Sequence, residues 1–218
     1  MKVAICLLTC ERFHYTKRAV ESLVRFNDLG QFVLLHADDA SEDHRNRSFA
    51  AMHGFERVDT PDIRQGCTAT QRALFAAAAQ RGCDWIVNVQ NDWESERAIP
   101  LDLLHFVDAR RDIHCLRLFG AFKMRPNVPV GDRHKGKSGK PADWRPLDGA
   151  PEPAEIGDIH WVYPPAATRT EVLTWLMAGV ARERDLRVKS GELSTLTARV
   201  TENVMWHIGT DRTPEFRR

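Results

Sequence analysis

Two short runs of acidic and amide side chains stand directly after apolar segments of the sequence. The run Gln90–Glu94 (QNDWE) follows the segment DWIVNV, and the pair Asp38-Asp39 follows the segment FVLLH. Carboxylate and amide oxygens at the end of a strand suit hard divalent cations such as Mg²⁺ or Mn²⁺. An acidic side chain in that position can instead accept hydrogen bonds from a base or a ribose. Acidic turns are also common without any ligand, so the plain alternative for each run is a polar turn.

Two further side chains, both in the C-terminal part of the chain, are of types that can bind a metal or accept a proton. His207 lies in the run WHIG (206–209), and a neutral imidazole is a good ligand for a transition metal. Glu192 stands in the first turn of an expected helix, where a carboxylate can act as a general base. The alternatives are a structural histidine beside apolar residues and a carboxylate that the helix dipole stabilises.

The elements that must position these residues alternate between buried strands and amphipathic helices. Such alternation predicts a doubly wound, mostly parallel sheet, which binds its ligands at the carboxyl ends of the strands. The two acidic runs are therefore expected to share one crevice. Strands are expected at 3–8, 32–36, 84–89, 113–119, 159–163 and 204–208, and helices at 19–24, after Ser41, and at 73–81, 100–110, 170–184 and 191–201.

The segment 123–158 differs from the rest because it is rich in proline and glycine and lacks apolar periodicity. This composition predicts a long loop or lid. Between 123 and 145 the segment carries seven Lys and Arg residues and two Asp residues. Such charge could hold phosphates, an anionic acceptor or a nucleic-acid backbone, or it could simply belong to a solvated surface loop. Trp144 and Trp161 could stack on a sugar or a base, with core packing as the alternative for Trp161.

Composition bounds the class of protein. A chain of 218 residues fits one α/β domain, with one half at 1–112 and the other at 113–218. The formal net charge of +1 excludes a polycation built for nucleic acid. The five cysteines include no CxxC pair, which argues against a disulfide framework and a structural zinc site and favours a reducing, cytoplasmic compartment. The apolar runs are too short for a signal peptide or a membrane helix.

Taken in order, several segments resemble the GT-A glycosyltransferases, and family 2 in particular. The resemblance covers residues 3–94 and, more loosely, 159–209. The matching segments are Leu8–Arg12 (that family's T-x-x-R), Asp38–Ser41 (its DDGS turn), Gly66–Leu74 with Gln71-Arg72 (its G-x-x-x-A-R-N), Asp84–Asp92 (the strand into its DxD metal motif) and Trp206–Gly209 (its HIG).

The resemblance implies a GT-A-like sheet with a smaller C-terminal acceptor-side region. It also implies an enzyme that moves a sugar from a nucleotide-diphosphate sugar to an acceptor hydroxyl, on a saccharide or a modified nucleic acid, with Mn²⁺ or Mg²⁺ as cofactor. Glu192 is then the catalytic base, with Asp158 and Glu202 in reserve. Asp92 and His207 are the metal ligands. The nucleotide-sugar contacts are Thr9, Arg12, Asp38, Asp39, Arg72 and Asn91.

Departures from the family pattern leave two alternatives open. Gln90 or Asn91 stands where the metal motif has its first acid, and Ala40 replaces the turn glycine. One alternative is therefore a binding module with the same fold and no catalysis. The other is a nucleotidyltransferase, although such enzymes usually carry a glycine-rich phosphate loop and the segment 7–11 contains no glycine. A dehydrogenase is disfavoured because no GxGxxG follows the first strand.

Overall fold

The computed structural model describes residues 1–119, 143–157, 165–178, 180, 189, 192 and 196–208. The strands are β1 (Val3–Thr9), β2 (Val33–Asp38), β3 (Glu56–Arg57), β4 (Trp85–Gln90), β5 (Trp93–Ser95), β6 (Ile113–Arg117), β7 (Arg145–Pro146), β8 (Ala154–Gly157), β9 (Ala166–Arg169), β10 (Leu196–Val200) and β11 (Met205–His207). The helices are α1 (Phe13–Phe26), α2 (Arg45–Met52), α3 (Cys67–Gln80), α4 (Leu101–Asp108) and α5 (Thr170–Met177).

The described strands form a 9-stranded sheet in the order β3-β2-β1-β4-β9-β6-β10-β8-β7, and β5 pairs with β11 in a second, two-stranded sheet. In the large sheet, β8 and β9 run against the common direction of the other strands. The predicted mostly parallel α/β sheet is therefore confirmed. Its strands come from both halves of the chain, so neither half folds around a sheet of its own.

Helices cover both faces of the sheet because successive residues of a strand point to opposite sides. On β1, Val3, Ile5 and Leu7 pack in a cluster with α1, α2 and α4. The intervening residues of β1 pack with α3 and α5 in the other cluster. Strands covered on both faces read as continuous apolar runs, which explains why β1, β2, β4 and β6 were visible in the sequence.

The helix predicted at 191–201 is wrong. Residues Leu196–Val200 form β10, which lies between the parallel β6 and the antiparallel β8. Thr197, Ala198 and Val200 are buried there, and β-branched side chains suit such a position. The sequence also gave no sign of β9, which is inserted between β4 and β6, and the helix expected at 170–184 ends at Met177 in α5.

Part of the segment expected as a lid belongs to the sheet. Residues 120–142 lie outside the described part of the chain, as does the strand expected at 159–163 with Asp158 and Trp161. Within 143–157, however, β7 and β8 extend the edge of the sheet, and Leu147 and Ile156 are buried. Among the helices of the described residues, none has the length and apolar character needed to span a bilayer.

Candidate functional site

The carboxyl ends of β1, β2 and β4 meet at one edge of the sheet, because β1 pairs in parallel with both of the other strands. Thr9 is in register with Asp38, and Leu8 is in register with Gln90. Beyond the strands, the amide of Asp39 donates to the carbonyl of Thr9, and the amide of Asn91 donates to the carbonyl of Leu8. We call the segments 9–12, 38–41 and 90–92 the strand-end rim. It brings together the two acidic runs, as the sequence pattern predicted.

The turn between β1 and α1 has an unusual backbone. Glu11 and Arg12 have φ values of 50° and 49°, in the left-handed region that few residues other than glycine adopt. Each such residue costs about 1–3 kcal/mol and persists only where its surroundings hold it, and strain of this kind tends to occur at functional sites. The turn is held by three side chains from other elements, which hydrogen-bond to the backbone of Glu11: Ser41, Asn46 and Asn91.

Asp38 is the centre of a buried network on the rim. Its carboxylate accepts the hydroxyl of Thr9 at 2.6 Å, and the amide and hydroxyl of Ser41 at 2.7 and 2.8 Å. The Nε of Arg47 lies 3.5 Å away. Burial acts to raise the pKa of Asp38, but the hydrogen bonds from Thr9 and Ser41 outweigh it, so the pKa lies below its ordinary value. Asp38 is only 3% exposed. Its carboxylate is therefore bonded within the protein, where it holds the rim together.

His36 extends the same network into the core. Its Nε2 lies 2.9 Å from the hydroxyl oxygen of Thr9. Because that hydroxyl donates its hydrogen to Asp38, it accepts from His36, which assigns the proton of the neutral ring to Nε2. Burial lowers the pKa of His36 from 6.5 to about 4, although the charge of Asp38 partly opposes the shift. His36 therefore stays neutral at physiological pH.

Asp39 fixes the start of α3. Its carboxylate accepts the amides of Gln65 and Gly66 and the hydroxyl of Thr70. A carboxylate at a helix N-terminus satisfies amides that have no partner within the helix and interacts favourably with its dipole. Asp39 thus joins the loop after β2 to the helix that flanks the rim.

Gly66 permits this arrangement through its backbone alone. Its φ of 84° and ψ of 156° fall in a region that is essentially restricted to glycine, and a Cβ added there would meet nothing within 4 Å. We expect Gly66→Ala to lower the free energy of unfolding by about 1–3 kcal/mol, as measured by urea denaturation. Gly82→Ala is the matched control, because that Cβ also meets open space but the φ of 67° suits the milder left-handed region. Equal losses in the two variants would contradict the special role of Gly66.

The side chains of the segment after β4 fall into two groups: some are buried and bonded within the protein, and others lie at its surface. Asn91 is buried, and its amide donates to the hydroxyl of Thr16 at 3.2 Å as well as to Glu11. Asp92 lies at the surface of the rim, where its Oδ2 is 3.6 Å from the guanidinium of Arg12. Glu94 is ion-paired with Arg18 of α1. Of the carboxylates in this turn, Asp92 faces the other rim segments.

The backbone of β11 passes beside Asp92. His207 is opposite Trp93 in the ladder between β5 and β11, and the amide of Ile208 donates to the carbonyl of Asp92 at 2.8 Å. Among the described residues no cluster of three His, Cys, Asp or Glu side chains could hold a metal. The chemistry of Asp92 suits Mg²⁺ or Mn²⁺. One carboxylate alone does not make up such a site, so an ion there would need further ligands.

Two of the predicted site residues are not brought to the rim. Arg72 lies in α3, where its guanidinium donates to the carbonyl of Val180, three residues after the end of α5. Glu192 is exposed, and its amide donates to the carbonyl of Lys189. The chain then enters β10 at Leu196, beside Asp112 at the amino end of β6 and so at the opposite edge of the sheet. Glu202 follows the carboxyl end of β10, on the side of the rim.

Sequence reasoning missed two residues that hold the rim in place. Ser41 was expected to cap a helix, but α2 begins at Arg45 and Ser41 instead binds Asp38 and the backbone of Glu11. Asn46 in α2 donates to the hydroxyl of Ser41 and to the carbonyl of Glu11. The spacing of Ser41 three residues after Asp38 is typical of a side-chain-stabilised turn and was an available signal. Nothing in the sequence pointed to Asn46.

Comparisons with known proteins agree on the fold. No protein-family model matches the sequence, and no curated protein matches it. Among solved structures, residues 1–349 of S. aureus TarS, a GT-A-type glycosyltransferase, superpose with a TM-score of 0.63 at 15% identity. That match covers 94% of this chain and 59% of the TarS chain, so this chain spans less than two thirds of TarS 1–349.

Two TarS complexes have the same fold. The complex with UDP matches at a TM-score of 0.58 and 15% identity, over 92% of this chain and 61% of that one. The complex with UDP-GlcNAc matches at a TM-score of 0.58 and 14% identity, over 98% and 62%. At these identities the likeness extends to the fold. The chain has the GT-A-like fold of S. aureus TarS, with a mostly parallel central sheet flanked by helices.

Proposed function

We propose that this chain is a glycosyltransferase that binds a nucleotide-diphosphate sugar across the strand-end rim and transfers the sugar to an acceptor hydroxyl. The observation that carries the proposal is the meeting of Arg12, the 38–41 turn and Asp92 at one edge of a GT-A-like sheet. The TarS complexes with UDP and UDP-GlcNAc support a uridine nucleotide as the first donor to test. The acceptor is proposed to be a saccharide, or a modified nucleic acid held by the basic segment 123–145.

The rim residues divide into two roles in this proposal. Thr9, Asp38, Asp39 and Asn91 are positioning residues, because they are buried and their side chains are hydrogen-bonded to other parts of the protein. Arg12 and Asp92 are more exposed and would face the diphosphate. A divalent cation held by Asp92 and His207 would neutralise charge on the departing nucleoside diphosphate. For the general base we propose Glu202 ahead of Glu192, because Glu202 lies on the side of the rim.

Binding of UDP should stabilise the folded protein. At a UDP concentration of about 100 times the dissociation constant the gain is about 2.7 kcal/mol, which corresponds to a rise in melting temperature of about 5–11 °C for a chain of this size. The measurement is a thermal-shift panel of UDP, GDP, CDP and dTDP, each with and without Mn²⁺. If none of the four changes the melting temperature, the proposed nucleotide site is wrong.

Turnover is tested with the same chain and UDP-GlcNAc as the probe. We expect Asp92→Ala to reduce the release of UDP in the presence of Mn²⁺ by about 10²–10³-fold, the usual effect of removing one group that stabilises transition-state charge. Asp112→Ala is the control, because Asp112 is also an ion-paired aspartate but lies at the opposite edge of the sheet. A wild-type protein that binds UDP but releases none from UDP-GlcNAc would favour the alternative of a binding module without catalysis. The small number of carboxylates that the described part of the rim offers to a cation also favours that alternative.

A further inference from the structure

A cleft of about 660 Å³ lies at the edge of the sheet opposite the strand-end rim. Asp84 directly precedes β4, and Arg169, the last residue of the antiparallel β9, is in register with Trp85. The six residues of β4 separate this edge from the rim by about 20 Å. We call it the amino-edge cleft, and it is distinct from the site proposed for the nucleotide. Its polar and aromatic lining comprises Asp84, Asp108, Arg111, Glu171, Thr174 and Trp175.

Helix α5 forms one wall of the amino-edge cleft. Glu171, Thr174 and Trp175 stand at the i, i+3 and i+4 spacing of one helix face, and all three are exposed. Trp175 is 41% exposed, although a side chain with so large an apolar surface gains free energy from being covered. An exposed tryptophan in a concave surface of this volume is a frequent anchor for a ligand.

The floor of the cleft is fixed by hydrogen bonds within the protein. The carboxylate of Asp108 accepts the indole N–H of Trp85 at 2.7 Å and the guanidinium of Arg169 at 2.9 Å. Arg169 is 5% exposed and also donates to four backbone carbonyls. The amide of Thr170 donates to the carbonyl of Asp84 at 2.9 Å and thereby ties the start of α5 to the start of β4. A ligand in the cleft would therefore not have to order its floor.

Three polar side chains of the cleft have hydrogen-bonding capacity that the described part of the chain does not use. Glu171 and Arg111 are exposed, and neither forms an ion pair or a side-chain hydrogen bond with another described residue. Thr170 also lines the cleft and is 7% exposed, and within the described ranges its hydroxyl has no hydrogen-bond partner. A buried hydroxyl without a partner is unfavourable, so a ligand that supplies one gains free energy.

The charges around the cleft decide which class of ligand suits it. The three carboxylates of the lining repel an anion. Arg111 repels a cation, as does Lys189, whose ammonium lies 4.7 Å from the centre of the Trp175 ring. A hydroxyl group is neutral and can donate to a carboxylate while it accepts from a guanidinium. The ligand that combines many hydroxyls with an apolar ring face, able to pack on an indole ring, is a neutral saccharide.

We propose that the amino-edge cleft is a binding site for a neutral saccharide, with Trp175 as the stacking surface and Glu171, Arg111 and Thr170 as its hydrogen-bonding partners. The cleft lies too far from the rim to take part in transfer of the sugar. If the acceptor is a saccharide chain, the cleft holds a portion of it remote from the hydroxyl that reacts. The inference goes beyond the proposed function, because binding at the cleft needs neither the nucleotide nor a cation.

The test is a titration with four neutral disaccharides, followed by the amide chemical shifts of the protein: maltose, cellobiose, lactose and the disaccharide of N-acetylglucosamine. We expect wild type to bind at least one of them with a dissociation constant of about 1 mM or tighter. Trp175→Ala should weaken that binding at least about fivefold, as for an aromatic anchor. Trp175→Phe keeps an aromatic surface and should fall between the two. Glu171→Ala should weaken binding by about 2–12-fold, the usual effect of losing one hydrogen bond.

Two controls locate the binding at the cleft. Glu21→Ala also removes an exposed helix carboxylate, but Glu21 lies on α1 at the other face of the sheet, so we expect saccharide binding to stay unchanged. Saturating UDP should likewise leave the saccharide affinity as it is, because the cleft and the rim lie at opposite edges. A saccharide held at the rim would instead be displaced or tightened by UDP and would bind Trp175→Ala as it binds wild type.

Three outcomes overturn the inference. One is that none of the neutral disaccharides binds with a dissociation constant of about 10 mM or tighter. Another is that Trp175→Ala binds them as tightly as wild type. The third is that a charged probe, the cationic disaccharide of glucosamine or the anionic disaccharide of glucuronic acid and N-acetylglucosamine, binds more tightly than every neutral one. Failure of UDP to bind wild type would count against the proposed function alone, since the saccharide titration contains no nucleotide.

Discussion

Replacing Asp38 by alanine is expected to lower the free energy of unfolding by about 3–5 kcal/mol. The carboxylate is 3% exposed and accepts three hydrogen bonds, from the hydroxyl of Thr9 and from the amide and hydroxyl of Ser41. Its removal leaves those buried donors without an acceptor, and it leaves Arg47 without one of its two acidic partners. Breaking a buried charged network costs more than the net value of its hydrogen bonds, because the remaining groups stay desolvated.

Urea denaturation at neutral pH measures the loss for Asp38→Ala and for the control Asp43→Ala. Asp43 lies in the same loop, but it is paired with Arg45 at the solvent-exposed surface, so we expect its replacement to leave the free energy of unfolding close to the wild-type value. Asp38→Asn should be intermediate, since the amide retains one acceptor oxygen. A contrary result would be an Asp38→Ala protein of wild-type stability that no longer binds UDP, because Asp38 would then be a nucleotide contact and not a tie within the rim.

The position of the rim was predictable from the sequence because it depends on strand order and direction alone. Alternating strands and helices imply a parallel sheet, and a parallel sheet gathers its strand ends at one edge. That argument places Thr9, Asp38 and Asp92 together without knowledge of any side-chain conformation. The structure agrees, with Thr9 in register with Asp38 and the 90–92 segment following the other neighbour of β1.

The partners of each rim side chain could not be predicted in the same way. The pairing of Arg12 with Asp92 depends on two consecutive left-handed residues, and those depend on hydrogen bonds between the backbone of Glu11 and the side chains of Ser41, Asn46 and Asn91. Each of these contacts joins residues distant in the chain. Local sequence patterns therefore identify which residues reach the rim, whereas the tertiary structure decides which of them are exposed to a ligand.

The second half of the sheet was harder to predict because its strands are short and carry small or polar side chains. The sequence LTARV of β10 has no strong apolar alternation, and its preceding Ser-Gly-Glu suggested a helix start. Burial between β6 and β8 overrides that local preference. The helix expected from 191 had Glu192 in its first turn, whereas the chain after Glu192 reaches the amino end of β6 at Leu196.

The second large effect that we expect is a loss of stability as the pH falls from about 6.5 to about 4, and its cause is His36. Burial lowers the pKa of the folded state to about 4 from an ordinary value of 6.5, so within this window the unfolded chain binds a proton that the folded protein does not. Stability therefore rises with pH across the window. The contribution of the neutral ring is complete above about pH 6.5, is lost progressively as the pH falls through the window, and is gone below about pH 4. A shift of this size corresponds to about 3 kcal/mol. The effect of Asp38, whose pKa is lowered, lies at more acidic pH.

The measurement is urea denaturation at pH 7.5, 5.5 and 4.5 in wild type and His36→Gln. Glutamine retains a side-chain donor that can reach toward Thr9 but does not titrate, so the variant should be less stable at pH 7.5 and should lose less on acidification. Replacement of the exposed His44 by glutamine is the control, since its ring is outside the network and its loss should leave the pH dependence as in wild type. If the stability of His36→Gln falls as steeply as that of wild type between pH 6.5 and 4, other groups are responsible, and the buried neutral histidine does not determine the acid sensitivity of the rim.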